Sequence, residues 1–357
     1  MNELAAQRIG SASGQRIVSA IEVIDRWFDL SRSPPPGLRR SGCTIAGIAV
    51  SIGACSAGVA QRTARRLVRT AEPAGGLANI YLIETEIVGW PDPPLIDDTP
   101  LLRRLLAARG IEAIHLPADA VVPNPLWILS SEVEDTVLVV TRSTADMPSW
   151  LADAPLTMAL SMVLGARDLT VLHAAGVGHD GRGLLIGGAG GVGKSATTLS
   201  AVRCGLGTVG DDYVVLDGAR PPRIHPLYNL MKQTPRGLQR FPDLFSRCAQ
   251  LPLNWHGKVE FEASLVRSGC MADALEPTAI LIPNQALGSR TSFTPISPAD
   301  AFSALAVSTV SQLPGSATRV FSSLTRLTRT LPSFRINLGT DADEVGTSVR
   351  HFIENGP

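Results

Sequence analysis

Residues 183–195 read Gly183-Leu184-Leu185-Ile186-Gly187-Gly188-Ala189-Gly190-Gly191-Val192-Gly193-Lys194-Ser195. From Gly188 onward the stretch fits G-x-x-x-x-G-K-S in full. It follows a short apolar run and opens a segment, Lys194 to about Arg203, that reads as a helix. Strand, glycine loop and helix in that order are the setting of a phosphate-binding loop. Glycine takes backbone torsions closed to other residues, so successive N–H groups can turn inward on phosphate oxygens. The helix starting at Lys194 brings its positive end to the same anion. Gly188, Ala189, Gly190, Gly191, Val192, Gly193, Lys194, Ser195 and Ala196 are therefore the expected nucleotide-binding stretch. Lys194 reaches the β- and γ-phosphates, and Ser195 is a magnesium ligand. Lysine is otherwise scarce: the chain has it only at 194, 232 and 258 and uses arginine elsewhere. A lysine at this position suits a site that needs a compact ammonium.

The neighbouring segments fit that frame. Val171 to Val177 reads as a strand, Gly178 to Gly183 as a turn, Gly183 to Ile186 as a strand and Val209 to Leu216 as a further strand. Gly210-Asp211-Asp212 stands at the start of that last strand, with Asp211 17 residues after Lys194. Strand ends beside a phosphate-binding loop are where magnesium- and hydroxyl-positioning carboxylates sit. An adjacent pair allows one to accept a proton while the other holds metal. His173 lies on an apolar strand, where a histidine is ordinarily a hydrogen-bonded core residue.

Composition bounds the rest. The chain has 357 residues, 45% hydrophobic and 18% charged, which is enough apolar material for a core and excludes wholesale disorder. Lys plus Arg number 32 and Asp plus Glu number 32, so a globally basic nucleic-acid binder is not expected. Aromatics at 5% argue against a base-stacking surface. The five cysteines, Cys43, Cys55, Cys204, Cys248 and Cys270, have no C-x-x-C spacing and read as scattered reduced thiols. The first residues carry no apolar core of a signal peptide. Cys43 to Ala60 is uncharged but mostly Gly, Ala and Ser, so it reads as a buried strand running into a helix and not as a membrane span. A cytoplasmic protein is the expectation.

Upstream, residues 14 to 30 show Ile17, Ile21, Ile24 and Trp27 at helical spacing. Residues 43 to 53 and 79 to 88 read as strands, 57 to 71 and 101 to 109 as helices. Trp127 to Leu129 and Val137 to Val140 read as strands, and 155 to 164 as a helix. Arg62, Arg65, Arg66 and Arg69 recur at helical spacing and read as a solvated face. The change of organisation falls between 142 and 155.

Leu172-His173-Ala174-Ala175-Gly176, the loop at 188–195 and Gly210-Asp211-Asp212 together resemble the catalytic domain of HPr kinase/phosphorylase and its relatives. Pro332 to Asp341 is similar to the closing strand and turn of the smaller relatives. The layout most resembles the HPr-kinase-like enzymes of lasso-peptide and related biosynthetic clusters, which phosphorylate serine on a precursor peptide. The resemblance spans about 125 to 355 and is specific over about 170 to 217. It implies an α/β P-loop kinase domain of the HPr kinase and phosphoenolpyruvate carboxykinase type at 125–357, preceded by a smaller α+β N-terminal domain at 1–124.

The resemblance further implies ATP and Mg2+, with Asp211 taking the serine hydroxyl proton. Asp212 would assist with the metal or orient that hydroxyl, and His173 would lie beside the pair and tune it. The expected partner is a peptide or protein with an acceptor serine, with no nucleic acid and no membrane, and fold analogy implies a homo-oligomer. The arginine- and glycine-rich signature of phosphorylase activity is missing; Arg223-Ile224-His225-Pro226-Leu227-Tyr228 stands in its place. Arg223, His225, Lys232, Arg236, Arg240, His256 and Lys258 are cations that read singly as surface. Lys232 and Lys258 are the first choices for stabilising charge on a transferred phosphoryl group. Competing expectations are an HPr-like protein kinase, a kinase of a free amino acid or sugar, and a nucleotide-binding switch without transfer.

Overall fold

The computed structural model describes residues 12–67, 78–97, 99–118, 124–147, 156–288, 290–313 and 315–356. Arg69 and the stretch 148–155 lie outside them. The chain is mixed α/β and divides into two compact units. The first takes the chain up to Val163; the second runs from Leu164 on and also counts Thr44–Gly47 and Arg66–Leu67.

The first unit is built on a six-stranded sheet of order β1-β2-β3-β6-β5-β4. The strands are β1 (Arg39–Ile45), β2 (Ile48–Ala54), β3 (Ala78–Glu84), β4 (Ile111–Leu116), β5 (Leu126–Ser131) and β6 (Thr136–Thr141). β3 runs parallel to β2 and β6, and β5 pairs antiparallel with β4 and β6. The helix Ala12–Ser31 turns Ile17, Ile21, Ile24, Trp27 and Phe28 into the core against Trp127, Leu129, Leu138 and Val140. The expected strand 43–53 is two strands, because Ala46 (φ 49°) and Gly47 (φ 80°) form a tight turn between them. The strand expected over 79–88 ends at Glu84, and Thr85–Val88 is a helical turn closed by left-handed Gly89. The boundary moves too: β5 and β6 complete this sheet, so the unit reaches Val163 and does not stop at 124. Their unbroken apolar runs fit either unit's sheet, and the pairing of β6 with β3 decides it.

The second unit carries β7 (Leu169–Leu172), β8 (Ala175–His179), β9 (Arg182–Ile186), β10 (Gly207–Gly210), β11 (Val214–Asp217), β12 (Arg223–Pro226), β13 (Leu230–Gln233), β14 (Val259–Glu262), β15 (Glu276–Gly288), β16 (Ser292–Pro295) and β17 (Ser333–Gly339). Its main sheet has the order β10-β8-β9-β15-β17-β16, with β15 parallel to β9 and β17. β12-β11-β7 form a second sheet and β13-β14 a third. Leu184 and Ile186 face the core under the helices Lys194–Arg203 and Ala342–Asn355, while Leu185 faces the one under Pro298–Val310 and Ala317–Thr330. Burial on both faces is why this strand reads as a continuous apolar run.

Two expected strands are each cut in half. Val171–Val177 breaks at His173-Ala174 into β7 and β8, and Val209–Leu216 breaks at Asp211–Tyr213 into β10 and β11. β8 and β10 pair in the main sheet, β7 and β11 in the second. The two chains change sheet side by side. Gly176 permits the crowding: a Cβ there would stand 2.5 Å from Val209 and 2.7 Å from Ile224. Gly210 takes φ 130° beyond its pairing with Gly176. The expected closing strand at 332–341 is β17.

Among the described residues no helix is long and apolar enough to cross a membrane. Cys43–Ala60 forms the end of β1, all of β2 and the start of the helix Ala57–Arg66. All five cysteines are free thiols.

Candidate active site

The sheet change puts His173 and the Asp211-Asp212 pair at one corner. Register does this: Val214 lies opposite Leu172, so the residues just beyond each, His173 and Tyr213, continue as neighbours, with ring centroids 5.4 Å apart. His173 Nε2 stands 3.2 Å from Asp212 Oδ1. Both His173 and Asp211 are buried.

The glycine loop reaches the same corner. It leaves β9 at Ile186 and enters the helix Lys194–Arg203 through Gly193, with positive φ at Gly188, Gly191 and Gly193. At Gly193 (φ 118°) a Cβ would also stand 2.5 Å from Leu338 Cδ1. The loop curls round its own lysine: Lys194 Nζ donates to the carbonyls of Gly188 at 2.7 Å and Ala189 at 3.1 Å. Ala189, Gly190 and Gly191 face solvent. Gln285 of β15 donates to the Gly191 carbonyl and ties the loop's tip to the sheet. Burial lowers the Lys194 ammonium, Asp212 and Asp211 pull it back up, and Lys258 adds to the lowering.

The two carboxylates have different surroundings. Asp212 has both oxygens taken: Oδ1 by His173, and Oδ2 by Lys232 Nζ at 2.8 Å. Burial pushes its carboxyl up, but Lys232 and His173 outweigh that and hold it well below the ordinary carboxylate range. Asp211 Oδ2 accepts the Lys232 backbone N–H at 2.8 Å. Its Oδ1 is buried and, among the described residues, has no hydrogen-bond partner. Burial pushes the Asp211 carboxyl up to about 6, against the Lys232 N–H, with Asp212 adding to the rise and Ser195 and Lys258 drawing it back. One carboxylate is thus pinned and ionised while the other is open and poised near neutrality, the separation an acid–base site needs.

Several residues here carry no local sequence signal. Glu260 on β14 pairs with Lys232 on the antiparallel β13 at 3.4 Å, and Arg66 closes on Glu260 at 2.6 Å. Arg66, Glu260, Lys232 and Asp212 make an alternating chain of charges. Arg66 therefore leaves the solvated face expected of its run, while Arg62 and Arg65 are exposed as expected. The C-terminal end of the helix Pro298–Val310 grips His173: Thr309 Oγ1 accepts its backbone N–H at 3.1 Å, and Ser308 Oγ meets Nδ1. Gln312 Nε2 lies 3.0 Å from Nδ1. These contacts join residues far apart in the chain; only the scarcity of lysine pointed to Lys232. Of the other cations, Arg240 donates to the Gly339 and Thr340 carbonyls, and the His256 ring packs at a tilt of 34° against Trp255.

Among the described residues no three His, Cys, Asp or Glu side chains gather as a metal cluster. The Ser195 hydroxyl, with phosphate oxygens and water, makes the all-oxygen set magnesium takes. Asp212, the other expected ligand, already has one partner on each oxygen, which leaves the remaining lone pair of each for a metal.

No family model matches the chain, and a search of curated proteins finds none that matches it.

Proposed function

We propose that this chain is an ATP- and magnesium-dependent serine kinase with an HPr-kinase-like P-loop domain, acting on a peptide or protein hydroxyl, with a ribosomal precursor peptide of the lasso type as substrate. The observation that carries the reading is the convergence of Lys194 and Ser195 on Asp211, a buried carboxylate with one oxygen left open. A structural aspartate in such a place would have both oxygens satisfied.

In this reading the loop amides and Lys194 bind the phosphate oxygens and hold the γ-phosphorus in line with the acceptor. Ser195 would hold the magnesium ion, which supplies positive charge beside the phosphates. The serine oxygen attacks phosphorus as the bond to the β-phosphate oxygen breaks and ADP departs. The hydroxyl proton passes to Asp211 Oδ1. Asp212, fixed by His173 and Lys232, keeps the corner rigid and negative. It also raises the proton affinity of Asp211.

Phosphorus NMR of reactions containing Mg-ATP with serine-bearing precursor peptides, free serine or a hexose tests the acceptor class. A phosphoserine ester on the peptide alone is expected. An ester on free serine or the sugar would replace the peptide reading, and none on any acceptor would end the kinase reading.

A further inference from the structure

Gln312 bridges two groups of the site. Its Oε1 accepts from the Tyr213 hydroxyl, and its Nε2 faces His173 Nδ1 at 3.0 Å. We infer that Gln312 is a positioning residue that fixes His173 as the tautomer with the proton on Nε2, aimed at Asp212.

Donors and acceptors decide this. The Tyr213 hydroxyl has one hydrogen-bond partner among the described residues, the Gln312 carbonyl oxygen. Turning the amide over would leave the phenol proton without an acceptor. It would also set the amide oxygen against Nδ1, which would then have to carry hydrogen. Since Nε2 faces a carboxylate oxygen and needs a proton as well, the flipped arrangement requires an imidazolium. The phenol decides against the flip: its proton has the Gln312 carbonyl oxygen as acceptor only with the amide as it stands. With the amide as it stands, its N–H donates to a bare Nδ1 and the proton sits on Nε2. Ser308 also meets Nδ1, but a hydroxyl donates or accepts as required, so it supports the ring without choosing the tautomer.

The consequence lies at the carboxylates. Nε2–H orients Asp212 from one side while Lys232 holds the other, and the Lys232 backbone N–H fixes Asp211 with Oδ1 open. Gln312 therefore acts on the reacting corner through His173 without touching it. This effect on transfer rests on the kinase reading above; the tautomer does not.

The test is long-range proton–nitrogen correlation on full-length protein labelled with 15N-histidine. The chain has six histidines, and His173→Gln identifies the signals of interest. Wild type is expected to show a protonated Nε2 and a bare Nδ1, and Ser308→Ala the same. In Gln312→Glu, a carboxylate in place of the donor recruits a proton to Nδ1. In Gln312→Leu the ring is free to mix tautomers, and kcat for peptide phosphorylation falls about tenfold with KM for ATP unchanged. A wild-type ring with its proton on Nδ1 overturns the inference. So do Gln312→Glu and Gln312→Leu rings indistinguishable from wild type. A wild-type protein that shows the expected ring but transfers no phosphate would fault the kinase reading alone.

Discussion

Replacing Asp211 by Asn should make the protein more stable as it removes activity. The Asp211 carboxyl is 2% exposed, and burial lifts it from its ordinary value of 3.8 to about 6. A shift of roughly two units corresponds to about 3 kcal/mol of destabilisation when the group is ionised. The folded value lies above the unfolded one. Below about pH 4 both states hold the proton and the group costs nothing. As pH rises from 3.8 to about 6 the unfolded carboxyl ionises while the folded one keeps its proton, so stability is lost until the folded group ionises too. Asparagine has the same shape, can accept the Lys232 N–H and carries no charge. At pH 7.5, in chelator and without nucleotide, the variant should gain about 3 kcal/mol, or about 6–12 °C in Tm for a body of 150–250 residues. The gain should shrink steadily toward pH 4.5. Calorimetry or thermal circular dichroism across that range measures it. A variant no more stable than wild type at pH 7.5, or a gain independent of pH, would refute the assignment of Asp211 as a buried carboxylate held ionised for use.

Other substitutions probe other parts of the corner. Lys232→Met leaves Asp212 and Glu260 without their shared cation and should cost about 3 kcal/mol in urea unfolding; adding Asp212→Asn should recover part of that. Lys258 stands two residues before Glu260, just ahead of β14, and pushes on Lys194, so an anion between the two ammonium groups would relieve that repulsion. Lys258→Met should weaken ATP binding about tenfold by calorimetry and leave ADP binding nearly unchanged. Gly193→Ala forces a side chain into φ 118° and against Leu338, so nucleotide binding should be lost while the far-ultraviolet spectrum stays that of wild type.

The candidate site was legible where its chemistry is local in the chain. The loop 188–195 and the pair at 211–212 announce themselves because close spacing of glycine, lysine and carboxylate has few structural uses. His173 was visible only beside them. What stayed hidden is long-range. Nothing near Ser308, Thr309 or Gln312 marks them as partners of a residue some 135 positions upstream. Arg66 looked like its exposed neighbours because helical spacing does not say which turn meets Glu260. The strands at 171–177 and 209–216 read as continuous because apolar residues run through the sheet change. The corner that breaks them, which holds the site, follows from pairing with each other and from Gly176. The boundary at 163 has a related reason: β5 and β6 are buried throughout, and the pairing of β6 with β3 is not a local property.

Phosphoryl transfer with Asp211 receiving the proton can be read directly on a peptide. Wild type and Asp211→Asn should each be incubated with Mg-ATP and precursor peptides from the genomic neighbourhood, and the intact peptide mass recorded alongside ATP affinity. Wild type should add a phosphate-sized mass and Asp211→Asn none, although both proteins bind ATP. Equal phosphorylation by the two proteins, or tight ATP binding by wild type with no gain on any peptide, would contradict it.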